Sequence, residues 1–126
     1  MIVTIDIDSK VALYEQLKEQ IIYGILSEDL KIDEQLPSVR QLASDLGINM
    51  HTVSKVYNIL DNEGFVTINK KRGVFVALDQ NKISVTYSKE ELLRDIALKV
   101  LILKQVGGKR EELLESIKSS EVNDND

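Results

Sequence analysis

Residues 36–77 read LPSVRQLASDLGINMHTVSKVYNILDNEGFVTINKKRGVFVA, and this stretch decides the fold. Ser38 followed by Gln41 is a capping-box pattern that opens a helix, and Gly47 supplies the backbone freedom for a sharp turn. Asn49 then caps a second helix. The apolar residues recur at helical spacing: Val39, Leu42, Ala43 and Leu46 in the first helix, Val53, Val56, Tyr57 and Leu60 in the second.

Two β-prone runs follow the second helix. Asn62 and Gly64 are expected to end that helix, and residues 66–68 and 74–76 then flank the basic turn Asn69-Lys70-Lys71-Arg72-Gly73. The order helix, turn, helix and hairpin is that of a winged helix-turn-helix. The sequence therefore predicts a mainly α fold with a small β-wing, and DNA is the leading candidate partner.

The same residues resemble the GntR family of bacterial transcription regulators. The matching positions are Leu36-Pro37-Ser38, Arg40, Leu42-Ala43, Leu46-Gly47-Ile48, Thr52-Val53, Leu60, Glu63-Gly64-Phe65, Gly73 and Phe75-Val76, with Tyr14 and Gln16-Leu17 upstream. Within the family the chain is most similar to the YtrA subfamily, in which a short helical tail replaces a large effector domain. It departs from that pattern at Met50-His51, commonly Pro-Asn, and at Ser54, often Arg in the wider family. The resemblance implies a transcription regulator whose neighbouring genes often encode ABC transporters. We expect it to act as a dimeric repressor.

Polar residues of these elements are the candidate DNA contacts. A guanidinium or ammonium group can bond a phosphate or a guanine edge, and a threonine offers a hydroxyl and a methyl group. The predicted DNA-binding residues are Ser38, Arg40, Asn49, His51, Thr52, Ser54, Lys55, Lys70, Lys71, Arg72 and Gly73. Simpler roles stay open for some of them: capping alone for Asn49, and a solvated surface position for Arg40, for His51 and for the wing turn.

The charge is unevenly distributed along the chain. The 126 residues carry a formal net charge of −5. Residues 1–36 contribute 3 − 8 = −5, residues 37–78 contribute 5 − 3 = +2, and residues 79–126 contribute 8 − 10 = −2. The helix-turn-helix with its wing is thus the only positive segment. The acidic charge of the rest of the chain should limit non-specific DNA binding, because that binding depends on neutralising phosphates.

Several functional classes lack support in the sequence. With no cysteine there is no disulfide, thiolate ligand or cysteine nucleophile. A lone histidine, His51, builds neither a metal site nor a triad. The paired acids Asp61 and Glu63, and Glu111 and Glu112, are simpler to interpret as solvated helix faces, so we expect neither catalysis nor a cofactor. The N-terminus lacks a signal-peptide pattern and no apolar run is long enough for a membrane, which favours a cytoplasmic location.

The flanks of the winged segment are predicted to be mostly helical. Residues 2–7 alternate like a short strand or an extended arm, and Ser9 is a possible cap for a helix from about Val11 to Ser27. Residues 78–87 are expected to form a connector, extended around Ile83. The expected domains are residues 1–78, a helical tail at 79–120, and a disordered acidic end at 121–126.

The tail is predicted to pair two copies of the chain through a helical hairpin. Ser88 and Glu91 form a second capping box, and Gly107-Gly108 separates two apolar helices. The predicted dimer interface is Leu92, Leu93, Ile96, Val100, Leu101, Leu103, Leu113, Leu114 and Ile117. Alternatively the tail folds back on its own winged domain. A tail this small does not enclose a ligand pocket by itself, so a small effector remains open. The alternative to a DNA-binding regulator is a protein-interaction adaptor, in which the winged helix is a scaffold without sequence-specific DNA binding and the apolar tail captures a different partner.

Overall fold

A computed structural model describes residues 1–121 of the chain. The helices and strands follow in this order: α1 (Leu13–Leu26), α2 (Val39–Leu46), α3 (Met50–Glu63), β1 (Val66–Asn69), β2 (Gly73–Val76), α4 (Gln80–Thr86), α5 (Lys89–Gln105) and α6 (Arg110–Ser120). The predicted fold class, mainly α with a small β-wing, is confirmed. The chain divides into two compact units, one from Met1 to Thr86 and one beginning at Tyr87.

The core of the first unit lies where α3 packs against α1, α2 and β1. Helix α3 contributes its predicted apolar face, and α1 contributes three apolar side chains that lie one helical turn apart. The buried residues include Leu17, Ile21, Ile25, Leu42, Ala43, Val53, Val56, Tyr57, Leu60, Val66 and Val76. Because α3 is central in this core, the position of its remaining, outward face is fixed by packing on three sides.

The β-hairpin pairs in antiparallel register from Val66 opposite Val76 to Asn69 opposite Gly73. The segment before α2 runs along its second strand. The backbone N–H of Leu36 donates to Val74 at 2.8 Å, and the N–H of Val76 donates to Glu34 at 2.9 Å. A short hairpin is marginally stable alone, so this third segment anchors the wing to the helical core.

The N-terminal residues form an extended arm, one of the two predicted alternatives. Two glutamines of α1 hold it through their side-chain amides: Gln20 bonds both backbone groups of Thr4 at 2.9 and 2.6 Å, and Gln16 bonds both backbone groups of Asp6 at 2.9 Å. The prediction that Ser9 caps α1 is wrong. The helix begins at Leu13, and the Ser9 hydroxyl instead accepts from the backbone N–H of Val11.

The segment predicted as a connector contains helix α4, so the expectation of an extended stretch around Ile83 is wrong. The Asp79 carboxylate caps the helix by accepting from the N–H groups of Asn81 and Lys82 at 3.1 and 3.2 Å. A Cβ atom on Gly64 would lie 2.7 Å from the Asp79 carbonyl oxygen. The absence of a side chain at Gly64 therefore leaves room for the start of α4 beside the end of α3.

The second unit contains α5 and α6, which begin after Ser88 and Lys109. The Ser88 hydroxyl accepts from the N–H of Glu91 at 3.3 Å, as its capping pattern predicted. Helix α4 belongs to the first unit, so the structural division falls after Thr86 and not after position 78. Of the predicted acidic end, only Glu121 lies inside the described residues, and residues 122–126 lie outside them.

Candidate nucleic-acid interface

In the helix-turn-helix, a side-chain cap starts each helix and a left-handed glycine ends the first one. The Ser38 hydroxyl accepts from the N–H of Gln41 at 3.1 Å at the start of α2. Gly47 ends that helix with φ +67°, and a Cβ there would meet nothing within 4 Å. Glycine is needed at this position for its conformation and not for space. The Asn49 carboxamide then accepts from the N–H of His51 at 2.7 Å and starts α3.

The outer face of α3 carries four of the side chains predicted to contact DNA. His51 and Lys55 are exposed, and Thr52 and Ser54 are half-buried. Asn58, which was not among the predicted contacts, is also exposed one turn beyond Ser54, where its side-chain amide donates to the Ser54 carbonyl at 2.9 Å. Its helical spacing from Ser54 was the signal that could have identified it.

Lys55 does not extend freely from α3. Its Nζ lies 3.9 Å from the centroid of the Tyr14 ring on α1, well within the range of a cation–π interaction. Tyr14 is half-buried, and its hydroxyl lies 3.3 Å from a carboxylate oxygen of Glu15. This contact joins a residue of the first helix to a predicted DNA-binding residue of the third.

Two further predicted residues lie in the first turn of α2 or just before it. Arg40 is exposed, and its guanidinium makes no hydrogen bond or ion pair with any part of the chain between residues 1 and 121. Ser38 is exposed too, and its cap uses the hydroxyl only as an acceptor. Its O–H hydrogen therefore remains free to donate.

The wing turn is shaped by two side-chain amides. The Asn69 carboxamide accepts from the N–H groups of Lys71 and Arg72 at 2.9 and 3.0 Å, an Asx-type turn. From the segment beside β2, the amide of Gln35 donates to the Arg72 carbonyl at 2.9 Å. Lys70 and Lys71 are exposed at the tip, where their ammonium groups have no partner among the described residues.

Gly73 has an internal structural role that the sequence did not indicate. Its φ is +118°, and a Cβ there would lie 2.7 Å from the Gln35 amide nitrogen. The glycine is thus required by the fold of the wing itself, in addition to any approach of DNA. Beside it, the exposed Arg72 has its guanidinium 5.9 Å from the centroid of the Phe75 ring, at the outer limit of a cation–π contact.

A buried tyrosine links the two helices of the motif. The Tyr57 hydroxyl on α3 donates to the Pro37 carbonyl, just before α2, at 2.7 Å. Burial raises the pKa of Tyr57 well above its usual range, because the charged phenolate is poorly solvated there. Since Tyr57 stays neutral, it remains a hydrogen-bond donor at every physiological pH.

The tail carries an apolar groove along α5. Its apolar lining comprises Leu92, Ile96, Val100, Ile102, Leu103, Val106 and, from α6, Leu113. Five of the predicted interface residues therefore share one surface, and Ile102 and Val106 join them. The other four, Leu93, Leu101, Leu114 and Ile117, are not among these residues but are 45–60% exposed.

Neither a membrane span nor a metal cluster is found within residues 1–121. No helix there is long and apolar enough to cross a membrane. In the same residues no group of three or more histidine, aspartate or glutamate side chains is arranged to hold a metal ion.

Comparisons with known proteins agree with this geometry. The family model for bacterial regulatory proteins of the gntR family matches residues 13–76. The uncharacterized HTH-type transcriptional regulator YhcF of Bacillus subtilis is 31% identical over 108 residues, which cover 85% of this chain and 88% of YhcF. The HTH-type transcriptional repressor YtrA of the same organism is 33% identical over 101 residues, 80% of this chain and 76% of that protein.

Solved structures extend the similarity. YtrA from Sulfolobus acidocaldarius, a GntR-family transcription factor, is 38% identical with a TM-score of 0.62, over 81% of this chain and 99% of that chain. The AraR DNA-binding domain in complex with operator ORE1 is 25% identical with a TM-score of 0.52, over 61% of this chain and 94% of that one.

Proposed function

This chain belongs to the GntR family of bacterial regulatory proteins, in its YtrA-like branch, and from that premise we propose that it is a repressor that binds operator DNA as a homodimer. One observation carries the proposal: a winged helix-turn-helix presents exposed polar side chains on α3 and unpaired cations on its wing, within an otherwise acidic chain. Such a placement directs the duplex to one surface of the protein.

The first turns of α3 enter the major groove in this proposal. Lys55 reaches a guanine edge or a phosphate, and Thr52 offers its hydroxyl to phosphate and its methyl group to thymine. His51 and Ser54 add polar contacts beside them. The half-buried positions of Thr52 and Ser54 hold their short side chains close to the helix axis, so they contact DNA only where α3 lies deep in the groove.

The residues around the start of α2 bind the phosphate backbone. The unpaired guanidinium of Arg40 is available for bidentate bonding to a phosphate, and the free O–H of Ser38 donates to the same strand. Asn49 contributes chiefly as the cap of α3, because its carbonyl oxygen is already occupied by the N–H of His51. Its amide N–H groups remain available to a phosphate oxygen.

The wing supplies affinity with little sequence preference. Lys70, Lys71 and Arg72 lie on a turn that Asn69 and Gln35 hold in shape, so their charges are presented along a minor groove without further ordering of the backbone. Each cation that neutralises a phosphate releases a counterion, which makes this part of the affinity dependent on salt.

The homodimer forms through the α5 groove and its exposed surroundings. Helix α5 is apolar on more than one side: Ile96, Leu98 and Leu101 are each 56–60% exposed. Contiguous exposed apolar surface of this kind is typical of an interaction site. Two copies related by a two-fold axis present two α3 helices to half-sites about one DNA turn (~34 Å) apart.

Repression follows if the bound dimer covers promoter sequences. The B. subtilis relative is named a repressor, which supports this direction. We extend the proposal to genes for transporters and to a cytoplasmic site of action. We also extend it to a small effector bound at the dimer interface, and a thermal-shift screen of the full chain that finds no stabilising compound would count against that extension.

Selection from a random pool of duplex DNA with the full-length chain tests the central proposal. The expected consensus is two-fold symmetric, and sedimentation of the DNA-free protein shows twice the chain mass. Ile96→Glu places a charge in the groove and is expected to give monomers, whereas Gln105→Glu, which adds the same charge to α5 at an exposed position outside the groove lining, leaves the dimer intact. A wild-type protein that enriches no sequence, or stays monomeric at high micromolar concentration, contradicts the proposal.

A further inference from the structure

The cation–π contact between Tyr14 and Lys55 crosses from one helix to another. Tyr14 lies at the start of α1, and Lys55 lies on the exposed side of α3 with its Nζ 3.9 Å from the ring centroid. Lysine side chains on a surface ordinarily sample many rotamers, and fixing one costs entropy when it binds a ligand. A ring that already holds the ammonium group removes part of that cost before DNA arrives.

We propose that Tyr14 is a positioning residue for DNA recognition, in which its ring face holds the Lys55 ammonium group in the orientation that meets the duplex. This inference rests on the proposed function. The ring attracts the cation through its negative face and uses no directed acceptor. The N–H donors of Lys55 that point away from the ring stay available to a base edge or a phosphate oxygen.

The helix carrying Tyr14 is itself fixed against the recognition helix. One turn beyond Tyr14, the Lys18 ammonium lies 2.8 Å from a carboxylate oxygen of Glu63 on α3, and both side chains are largely shielded from solvent. Leu17 and Ile21 of α1 are fully buried in the core that α1 and α3 share. The Tyr14 ring therefore has a rigid platform, which a positioning residue requires.

The ring, and not the hydroxyl, carries the proposed role. The Tyr14 hydroxyl points to its neighbour Glu15, with an O–O distance of 3.3 Å. Phenylalanine keeps the ring face and loses only this exposed hydrogen bond. Leucine keeps apolar bulk and loses the quadrupole that attracts the cation. These two substitutions separate positioning from packing and from direct contact of the hydroxyl with DNA.

Four variants of the full chain test the inference: Tyr14→Phe, Tyr14→Leu, Lys55→Met and the double variant Tyr14→Leu/Lys55→Met. The probe is a duplex carrying the sequence that the wild-type protein enriches from a random pool. We expect Tyr14→Leu to weaken binding about 2- to 5-fold per half-site, and Tyr14→Phe to bind like the wild type. In the Lys55→Met background, Tyr14→Leu should have no further effect.

A spectroscopic measurement gives a readout that packing alone does not change. Protons above an aromatic face are shifted upfield by the ring current. The ε-methylene protons of Lys55 should show that shift in the wild type and in Tyr14→Phe, and lose it in Tyr14→Leu, with thermal unfolding recorded for each variant.

Three results would overturn the inference while leaving the proposed function in place. Tyr14→Leu could bind as tightly as the wild type or more tightly, which would mean that the ring withholds Lys55. Tyr14→Phe could lose as much affinity as Tyr14→Leu, which would assign the role to the hydroxyl. Tyr14→Leu could weaken binding equally in the Lys55→Met background. A wild-type chain that binds no duplex overturns both.

Discussion

The hydroxyl of Tyr57 on the recognition helix donates a 2.7 Å hydrogen bond to the carbonyl oxygen of Pro37, the residue before the cap of α2. No other hydrogen bond between the described residues reaches that carbonyl. Besides the apolar packing of α2 on α3, the bond therefore ties the start of α2, with Ser38 and Arg40, to α3. A residue of the core thus connects two groups of predicted DNA contacts.

Replacing Tyr57 by phenylalanine should remove this bond and little else. We expect the free energy of unfolding to fall by about 1 kcal/mol, because the Pro37 carbonyl loses its partner while remaining partly shielded from water. Urea denaturation measures the change. Tyr23→Phe is the matched control, since Tyr23 is 67% exposed, and its stability should stay at the wild-type value. Equal effects of the two substitutions would contradict the assigned role of the Pro37 bond.

The raised pKa of Tyr57 predicts how stability changes in alkali. In the unfolded chain this phenol has the ordinary value of 10.0, and burial raises the pKa in the folded state. Above pH 10 the unfolded state therefore releases a proton that the folded state keeps, so stability present below pH 10 is lost as the pH rises further. Urea denaturation at a series of pH values above 10 should show the free energy of unfolding falling in the wild type, and Tyr57→Phe should lose less stability over that range. An equal loss in both proteins would contradict the burial of the Tyr57 phenol.

Much of the winged helix was predictable because its signals are local. Ser38, Asn49 and Ser88 cap helices as their patterns indicated, and Gly47 occupies the left-handed region after α2. A cap or a turn depends on a few neighbouring residues, which a single sequence displays in full. The hairpin at residues 66–76 was predictable for the same reason.

The remaining features depend on contacts between distant parts of the chain. Helix α4 has a polar and β-branched sequence with little helical signal, and it forms where Gly64 leaves room for Asp79 and Lys82. The arm is held by Gln16 and Gln20 on α1, whose pairing with backbone groups leaves no pattern in composition. Likewise the Tyr14–Lys55 contact needs the packing of α1 on α3 before it exists.

Two glycines at helix ends should respond differently to alanine. Gly47→Ala meets no atom within 4 Å and bears only the cost of a left-handed conformation, about 1 kcal/mol. Gly64→Ala bears a larger conformational cost, because φ +100° lies outside the left-handed region open to alanine, and it also places a Cβ 2.7 Å from the Asp79 carbonyl oxygen. Overpacking of this kind adds about 1–3 kcal/mol. Equilibrium unfolding in urea should therefore rank Gly64→Ala as the less stable variant, and the opposite order would reject the proposed α3–α4 contact.

Removing the wing cations should weaken binding to every duplex. For the variant Lys70→Ala/Lys71→Ala/Arg72→Ala, we expect the slope of log Kobs against log salt to become less negative by about 0.9 for each phosphate that the protein no longer neutralises. The control Lys31→Ala/Lys89→Ala/Lys118→Ala lowers the net charge equally and should leave that slope nearly unchanged. Identical slopes for both triple variants would show that net charge alone, and not the wing, governs binding.

Hydroxyl-radical footprinting of the full-length chain on its selected duplex tests the central claim most directly. Two copies that place their α3 helices in successive grooves predict two symmetric protected patches whose centres lie about one helical turn apart. A single patch would contradict the paired arrangement. An absence of protection on every duplex, even at low ionic strength, would contradict DNA recognition by α3 and the wing altogether.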